Sequence, residues 1–228
     1  NGRAYWPERC ATFTMRILSL LTVFALMVVG ASAAIVNPTG MGAGTDTNYT
    51  ITAGPSGPEA ATIATGTEFY AFVDGSTWAL PAPSWIYPSS TFEGEDTGPS
   101  AWTYQTMIDL TSLKAATANI VLDVFVDGAV TDIRVGGVSL VGFAPFGSFT
   151  AGTAVTIDNT TATLIAGMQT LEFDVSNPAL TPAGPGNVTG LRVDVTEATA
   201  DPIPEPGTYA LVGLGLAAVA LIRRRRNA

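Results

Sequence analysis

The chain has 228 residues, which is room for one domain of ordinary size or two small ones. It carries 10 Lys and Arg against 19 Asp and Glu, a formal charge of −9, with no histidine and one cysteine, Cys10. This composition excludes histidine-based nucleophile pairs and histidine metal ligands, an internal disulfide and a cysteine zinc site. Nucleic acid is also excluded as a partner, because the chain has few bases to neutralise phosphates.

The first feature along the chain is an uncharged apolar run at residues 17–30, preceded by one arginine. The run ends in small residues, among them Ala31 and Ala33, and this arrangement is typical of a secretory signal peptide. We therefore predict a signal peptide at 15–33, cleaved by signal peptidase after Ala33. An N-terminal membrane anchor is the alternative, since the run is near the lower length limit for a span. We expect residues 1–14 to be an upstream extension that precedes the true start.

The stretch between the two apolar ends is strongly acidic. Residues 34–206 hold three basic and eighteen acidic side chains, a formal charge of −15, which implies solubility and repulsion from anionic surfaces. Threonine, glycine, alanine and valine dominate this stretch while lysine is nearly absent. Such a composition favours a secreted, β-rich fold.

Apolar residues alternate with polar ones in several short segments of this stretch. The period of two predicts strands, and Asp127-Gly128 and Gly136-Gly137 predict tight turns between them. We predict one all-β domain at 34–200, an antiparallel β-sandwich of jelly-roll type. The side chains expected inside are Leu122, Val124, Phe173, Val175, Leu191 and Val193.

The first part of this domain, residues 34–99, is richer in proline and glycine and less regular. We expect it to supply edge strands and long loops to the sandwich, including a strand at Phe69–Val73. A separate disordered stalk is the competing interpretation.

A proline-rich linker at 201–207 separates the domain from a C-terminal segment at 208–226. Prolines at alternate positions predict an exposed, extended linker that cannot join a sheet. The following residues, Ala210–Ile222, are apolar throughout and predict a helix that is short of a full membrane span. The arginines after it would stop translocation, so we expect a transient anchor in the inner membrane. The four stop residues are Arg223, Arg224, Arg225 and Arg226. A buried core helix is the alternative.

This C-terminal arrangement resembles the PEP-CTERM sorting signal. Pro204, Glu205 and Pro206 form the motif, and a glycine-containing apolar helix and an arginine cluster follow it in order. The resemblance implies a bacterial protein that is exported, held briefly in the inner membrane and processed at the motif by a membrane-embedded exosortase. It also implies a final location at the cell surface or outside the cell, in a bacterium that makes exopolysaccharide.

The strand-like segments between Trp85 and Val195 resemble a domain of exported PEP-CTERM proteins that is similar to the galactose-binding-like jelly roll. The segments that carry the resemblance are Trp102–Leu110, Ala118–Arg134, Leu171–Asn177 and Gly190–Val193. The Asn-Gly hairpin usual in that family is replaced here by Gly136-Gly137, so no ligand contact from that asparagine is carried over.

Two groups of side chains are candidates for a binding site. Trp78, Trp85 and Trp102 are predicted to stack on sugar rings, with packing in or around the sandwich core as the alternative. The acidic loop with Glu93, Glu95 and Asp96 lacks the spacing of known calcium motifs, and a solvated loop is the favoured interpretation. We therefore expect no metal site, and Asp123, Asp127 and Asp132 fit strand alternation and turns.

These features predict a non-catalytic exported surface or matrix protein without cofactor, associated with exopolysaccharide or biofilm. A lectin-like carbohydrate-binding module is the alternative. A secreted hydrolase that uses paired carboxylates is a distant third, because sequence alone brings no two acids to the spacing of about 5–9.5 Å that glycoside hydrolysis needs.

Overall fold

The computed structural model describes residues 34–40, 44–63, 85–89, 100–148, 151–177, 189–204 and 206–226. Several predicted features lie outside these ranges and stay predictions. They are the extension at 1–14, the signal peptide with Ala31 and Ala33, the strand at 69–73, Trp78, the acidic loop at 93–96 and Glu205.

The described part of the chain forms ten strands followed by one α-helix. The strands are β1 (Thr45–Ala53), β2 (Glu59–Ile63), β3 (Ile86–Pro88), β4 (Ser100–Asp109), β5 (Asn119–Asp127), β6 (Ala129–Val135), β7 (Val138–Ser139), β8 (Thr153–Asp158), β9 (Met168–Asn177) and β10 (Gly190–Thr199). The helix, α1, spans Pro206–Arg226. The prediction of an all-β antiparallel sandwich followed by a C-terminal helix is confirmed.

All ten strands pair in one antiparallel ladder, in the order β7-β6-β9-β4-β1-β2-β3-β10-β5-β8. The strands from residues 34–99 lie in the middle of this order, and β7 and β8 lie at its ends. The prediction that this part supplies edge strands is therefore wrong for β1, β2 and β3. They connect the two halves of the ladder, because β1 pairs with β4 on one side and β3 pairs with β10 on the other.

The ladder is curled, so that apolar side chains from both halves meet in one core. Alternate residues of each strand point to this core, as the period of two dictates. All six side chains predicted to lie inside are fully buried: Leu122, Val124, Phe173, Val175, Leu191 and Val193. That prediction is confirmed.

The turn at Asp127-Gly128 joins the halves of the sandwich. β5 pairs with β10 and β8, whereas β6 pairs with β9 and β7, so the turn is tight but does not close a hairpin. Gly128 has φ of +97°, and a Cβ there would overlap the carbonyl oxygen of Ser176. Only glycine therefore fits at this turn, where the chain passes from one half of the sandwich to the other. The second predicted turn does close a hairpin, since Val135 pairs with Val138 across Gly136 and Gly137.

Helix α1 begins at Pro206, a residue suited to a first helical position, and continues into the arginine cluster. Its apolar side chains between Leu211 and Ile222 are 44–67% exposed, which contradicts the alternative of a buried core helix. Within the described ranges, no helix combines the length and apolarity needed to cross a membrane. The predicted transient anchor stays a prediction: its thirteen apolar residues extend over about 20 Å, against a hydrocarbon core of about 30 Å.

Candidate functional site

The segment that precedes the sorting motif is docked on the β domain. Its partner is a loop between β4 and β5, residues 112–117, which we call the docking loop. The Lys114 N–H donates to the Asp201 carbonyl at 2.7 Å, and the Ile203 N–H donates to the Ser112 carbonyl at 2.9 Å. Leu113 and Pro202 face each other between these two hydrogen bonds as an antiparallel bridge. The linker is exposed as predicted, but the prediction that it cannot pair is wrong.

The alternation of the prolines explains why pairing is possible. In an extended chain, successive backbone N–H groups point to opposite edges. Pro202 and Pro204 leave one edge without donors, while Asp201 and Ile203 keep their N–H groups on the other edge, where both bind the domain. A proline is tolerated in a strand whose N–H side faces solvent. The linker thus forms an extended segment that pairs along one edge only.

Thr117 completes the contact with the linker. Its Oγ1 accepts a hydrogen bond from the Asp201 N–H at 2.8 Å and donates to the Lys114 carbonyl at 2.9 Å. The ammonium of Lys114 also lies 3.7 Å from the Asp201 carboxylate, with both side chains at least half exposed. Because exposed ion pairs contribute little, the backbone and hydroxyl hydrogen bonds carry the docking.

Beyond Ile203 the structure describes part of the sorting motif. Pro204 is exposed, and Arg223, Arg224 and Arg225 are exposed at the end of α1. Glu205 lies outside the described residues. The docked linker therefore leads directly from the domain into the motif and the helix.

The structure buries two of the three tryptophans predicted to stack on sugars. Trp102 on β4 is 3% exposed and donates from Nε1 to the Ser100 Oγ at 2.9 Å. Its ring lies against Gly54, where a Cβ would overlap it. Trp85 is 6% exposed. Neither ring offers a face to a ligand, which contradicts the stacking role for Trp85 and Trp102, and Trp102 packs in the core of the sandwich.

The outward face of β4, β6 and β9 instead carries a network of polar side chains, which we call the polar face. Arg134 lies at its centre, with Nε 2.9 Å from Glu172 Oε2 and Nη1 2.7 Å from Asp174 Oδ2. Each acid has a second partner, since Gln105 donates to Glu172 at 2.8 Å and Thr103 donates to Asp174 at 2.7 Å. Opposite charges on neighbouring strands therefore fix these side chains in place.

The electrostatics of the polar face keep its arginine charged. Partial burial by itself lowers the pKa of Arg134, but the hydrogen bond to Glu172 and the charge of Asp174 outweigh it. The charges of Glu172 and Asp132 act in the same direction, and the net pKa is raised. Sequence analysis missed this network, because only the strand register shows that Arg134 lies opposite Glu172.

A second arginine lies on the other half of the sandwich, on the outward side of β10. Arg192 is 7% exposed, donates from Nε to Asp194 at 2.9 Å and lies 4.8 Å from the centre of the Phe125 ring. Nearby on β5, burial raises the pKa of Asp127 to about 6, against the opposing effect of a hydrogen bond from Gly128. Arg192 is therefore held by packing, and its guanidinium group is shielded from solvent.

The acids singled out from the sequence do not come together. Asp123 and Asp127 lie on β5, and Asp132 lies on β6 in the other half, where Ser139 donates to it at 2.6 Å. Among the described residues, no group of three or more Asp, Glu, Cys or His side chains could hold a metal ion.

Comparison with solved structures gives weak likenesses only. A family 35 carbohydrate-binding module from Paenibacillus barcinonensis aligns at 16% identity and a TM-score of 0.32, covering 68% of this chain and 94% of that one. A β-glucosidase from Kluyveromyces marxianus aligns at 10% identity and a TM-score of 0.27, covering 52% of this chain and 12% of that one. Another family 35 module, from an environmental isolate, aligns at 17% identity and a TM-score of 0.20, covering 48% and 76%. The fold is established by the strand pairing itself.

Sequence comparison identifies the C-terminal segment. No curated protein matches the chain. The model of the PEP-CTERM protein-sorting motif matches residues 202–226, which include the docked Pro202, the Pro-Glu-Pro triplet and all of α1. The chain carries a PEP-CTERM protein-sorting motif, which implies export and sorting by an exosortase.

Proposed function

We propose that this chain is a non-catalytic bacterial protein of the cell surface or extracellular matrix, whose β domain associates with extracellular polysaccharide. The observation that carries the proposal is the sorting motif at 202–226. The exosortase is the processing partner, and the domain is the part that acts after export. Its role is then that of a structural component of an exopolysaccharide matrix or biofilm.

The polar face supports this association. Sugar hydroxyls bind through hydrogen bonds, and the face presents carboxylate, amide and guanidinium groups that are already held by one another. Side chains fixed before binding lose less conformational entropy when a ligand arrives. A polar surface that extends over three neighbouring strands suits contact with an extended polymer.

The charge of the domain limits the class of polysaccharide. Residues 34–206 carry a formal charge of −15, which opposes approach to an anionic polymer. With Trp85 and Trp102 buried, contact through their rings is replaced by hydrogen bonding at the polar face. We therefore favour a neutral polysaccharide, bound weakly at many places along its length.

The proposal is tested by sedimentation of the processed protein with the insoluble extracellular polysaccharide of the producing bacterium. We expect it to sediment with neutral polysaccharide and to remain in solution with alginate as the anionic comparison. Arg134→Gln, chosen because it removes the centre of the polar face, is expected to reduce sedimentation at least fivefold. Lys114→Ala removes an equal charge far from that face and serves as the matched control. Protein that stays in solution with every polysaccharide fraction would refute the association.

A further inference from the structure

The docked linker has a property that bears on processing. Of residues 201–204, two are prolines without an N–H, and the N–H groups of Asp201 and Ile203 are both donated to the domain. In the docked state this segment therefore has no free backbone N–H. Proteins that bind an extended peptide by strand addition rely on its backbone hydrogen bonds.

We infer that Thr117 is a positioning residue for the sorting reaction: it keeps residues 201–203 on the β domain during processing, so the protease acts on the chain beyond Ile203. The inference rests on the proposed exosortase sorting. Thr117 acts through the linker backbone, because its hydroxyl connects the Asp201 N–H to the Lys114 carbonyl. The mature protein accordingly retains Asp201, Pro202 and Ile203.

The chain between docked Ile203 and the sorting motif is short, and this limits how far from the domain a protease can act. An extended chain advances about 3.3 Å per residue, so at most about 10 Å of chain separates docked Ile203 from Pro206, where α1 begins. A protease that engages Glu205 must therefore approach the docking loop closely. The folded domain, and not a long flexible tether, presents the sorting motif.

Hydrogen exchange on the purified full-length chain tests the docking. Thr117→Val removes both hydroxyl hydrogen bonds at nearly constant volume and is expected to speed exchange at the Asp201 and Ile203 amides about tenfold. Thr117→Ser keeps the hydroxyl and should exchange like the wild type. Thr131→Val is the matched control, since Thr131 is exposed and donates to the Asp174 carbonyl away from the linker. Unchanged exchange in Thr117→Val would overturn the role given to Thr117.

Intact-mass measurement of the shortened protein from cells that make an exosortase tests the consequence. The wild-type and Thr117→Ser proteins are expected to end at or beyond Ile203. The Thr117→Val protein should show additional ends between residues 199 and 203. A wild-type end before Ile203, or one unchanged end in Thr117→Val, would overturn the inference. Absence of any shortened wild-type form would refute the proposed exosortase sorting. The hydrogen-exchange measurement tests the docking of the linker without any exosortase, so the two failures can be told apart.

Discussion

The β domain and helix α1 use similar apolar side chains in opposite ways. In the domain, apolar residues at alternate strand positions face the core and are buried, as are Leu122 on β5 and Phe173 on β9. In α1, apolar residues follow one another without a polar side, and Leu214 and Leu216 are each 67% exposed. The difference is one of pattern and not of composition: the alternating strands turn an apolar face to the core and a polar face to water, whereas α1 has no polar face to turn to water.

Because of this difference, we expect the side chains of the domain to determine the fold and those of α1 to serve recognition during sorting. Side chains of the domain stabilise the fold, so their replacement is expected to change the free energy of unfolding. The described side chains of α1 lie outside that core, and the helix belongs to the sorting motif. Paired substitutions, one in each region, therefore test whether the two are independent.

The largest expected effect is at the centre of the core. Phe173 is fully buried on β9, and Phe173→Ala should lower the free energy of unfolding by about 4 kcal/mol because it leaves a cavity. Leu214→Ala, in the exposed helix, should leave it unchanged. Urea unfolding of the purified chain measures both. A comparable loss in Leu214→Ala would show that the helix belongs to the folding unit.

A second pair of variants compares glycines. Gly128→Ala places a Cβ against the Ser176 carbonyl at positive φ and should cost about 3 kcal/mol. At Gly213 in α1 a Cβ would meet nothing within 4 Å, so Gly213→Ala should not destabilise the chain. The measurement is again the urea midpoint. A Gly128→Ala variant as stable as the wild type would contradict the close contact between Gly128 and the Ser176 carbonyl at this turn.

A smaller effect, dependent on pH, is expected at Asp127. Its pKa is about 6 in the folded chain against 3.8 for an aspartic acid side chain free in water, so the folded state favours the neutral form. The stability it contributes is full below pH 3.8 and is lost as the pH rises through about 6. Asp127→Asn should therefore match the wild type near pH 4 and exceed it by about 2 kcal/mol at pH 8. A difference that does not vary with pH would contradict the raised pKa.

The sequence predicted what depends on local pattern. The alternation around Leu122 and Phe173 identified both strands and their inward faces, and Asp127-Gly128 and Gly136-Gly137 located the turns. These features are set by neighbours in the chain, so no knowledge of distant contacts was needed. The sorting motif was equally legible, because it is a contiguous segment.

What the sequence did not reveal depends on contacts between distant segments. Trp102 is buried because Gly54 provides room for its ring, and Arg134 is held because β6 and β9 align it with Glu172. The docking of Pro202 depends on the position of Leu113, which is 89 residues away in the loop between β4 and β5 (202 − 113 = 89). The alternating prolines correctly indicated an extended chain. The sequence analysis overlooked that the other edge of this chain keeps the N–H groups of Asp201 and Ile203.

The most direct test of the account is the fate of the tail when Glu205 is replaced. Glu205 is the only charged residue between Asp201 and Arg223, so it is the charged recognition element expected in the Pro-Glu-Pro triplet. Glu205→Ala should be exported normally and accumulate at full length by immunoblot and intact mass, while wild-type protein is shortened in the same cells. Processing of Glu205→Ala at the wild-type rate and position would contradict the claim that this motif directs sorting.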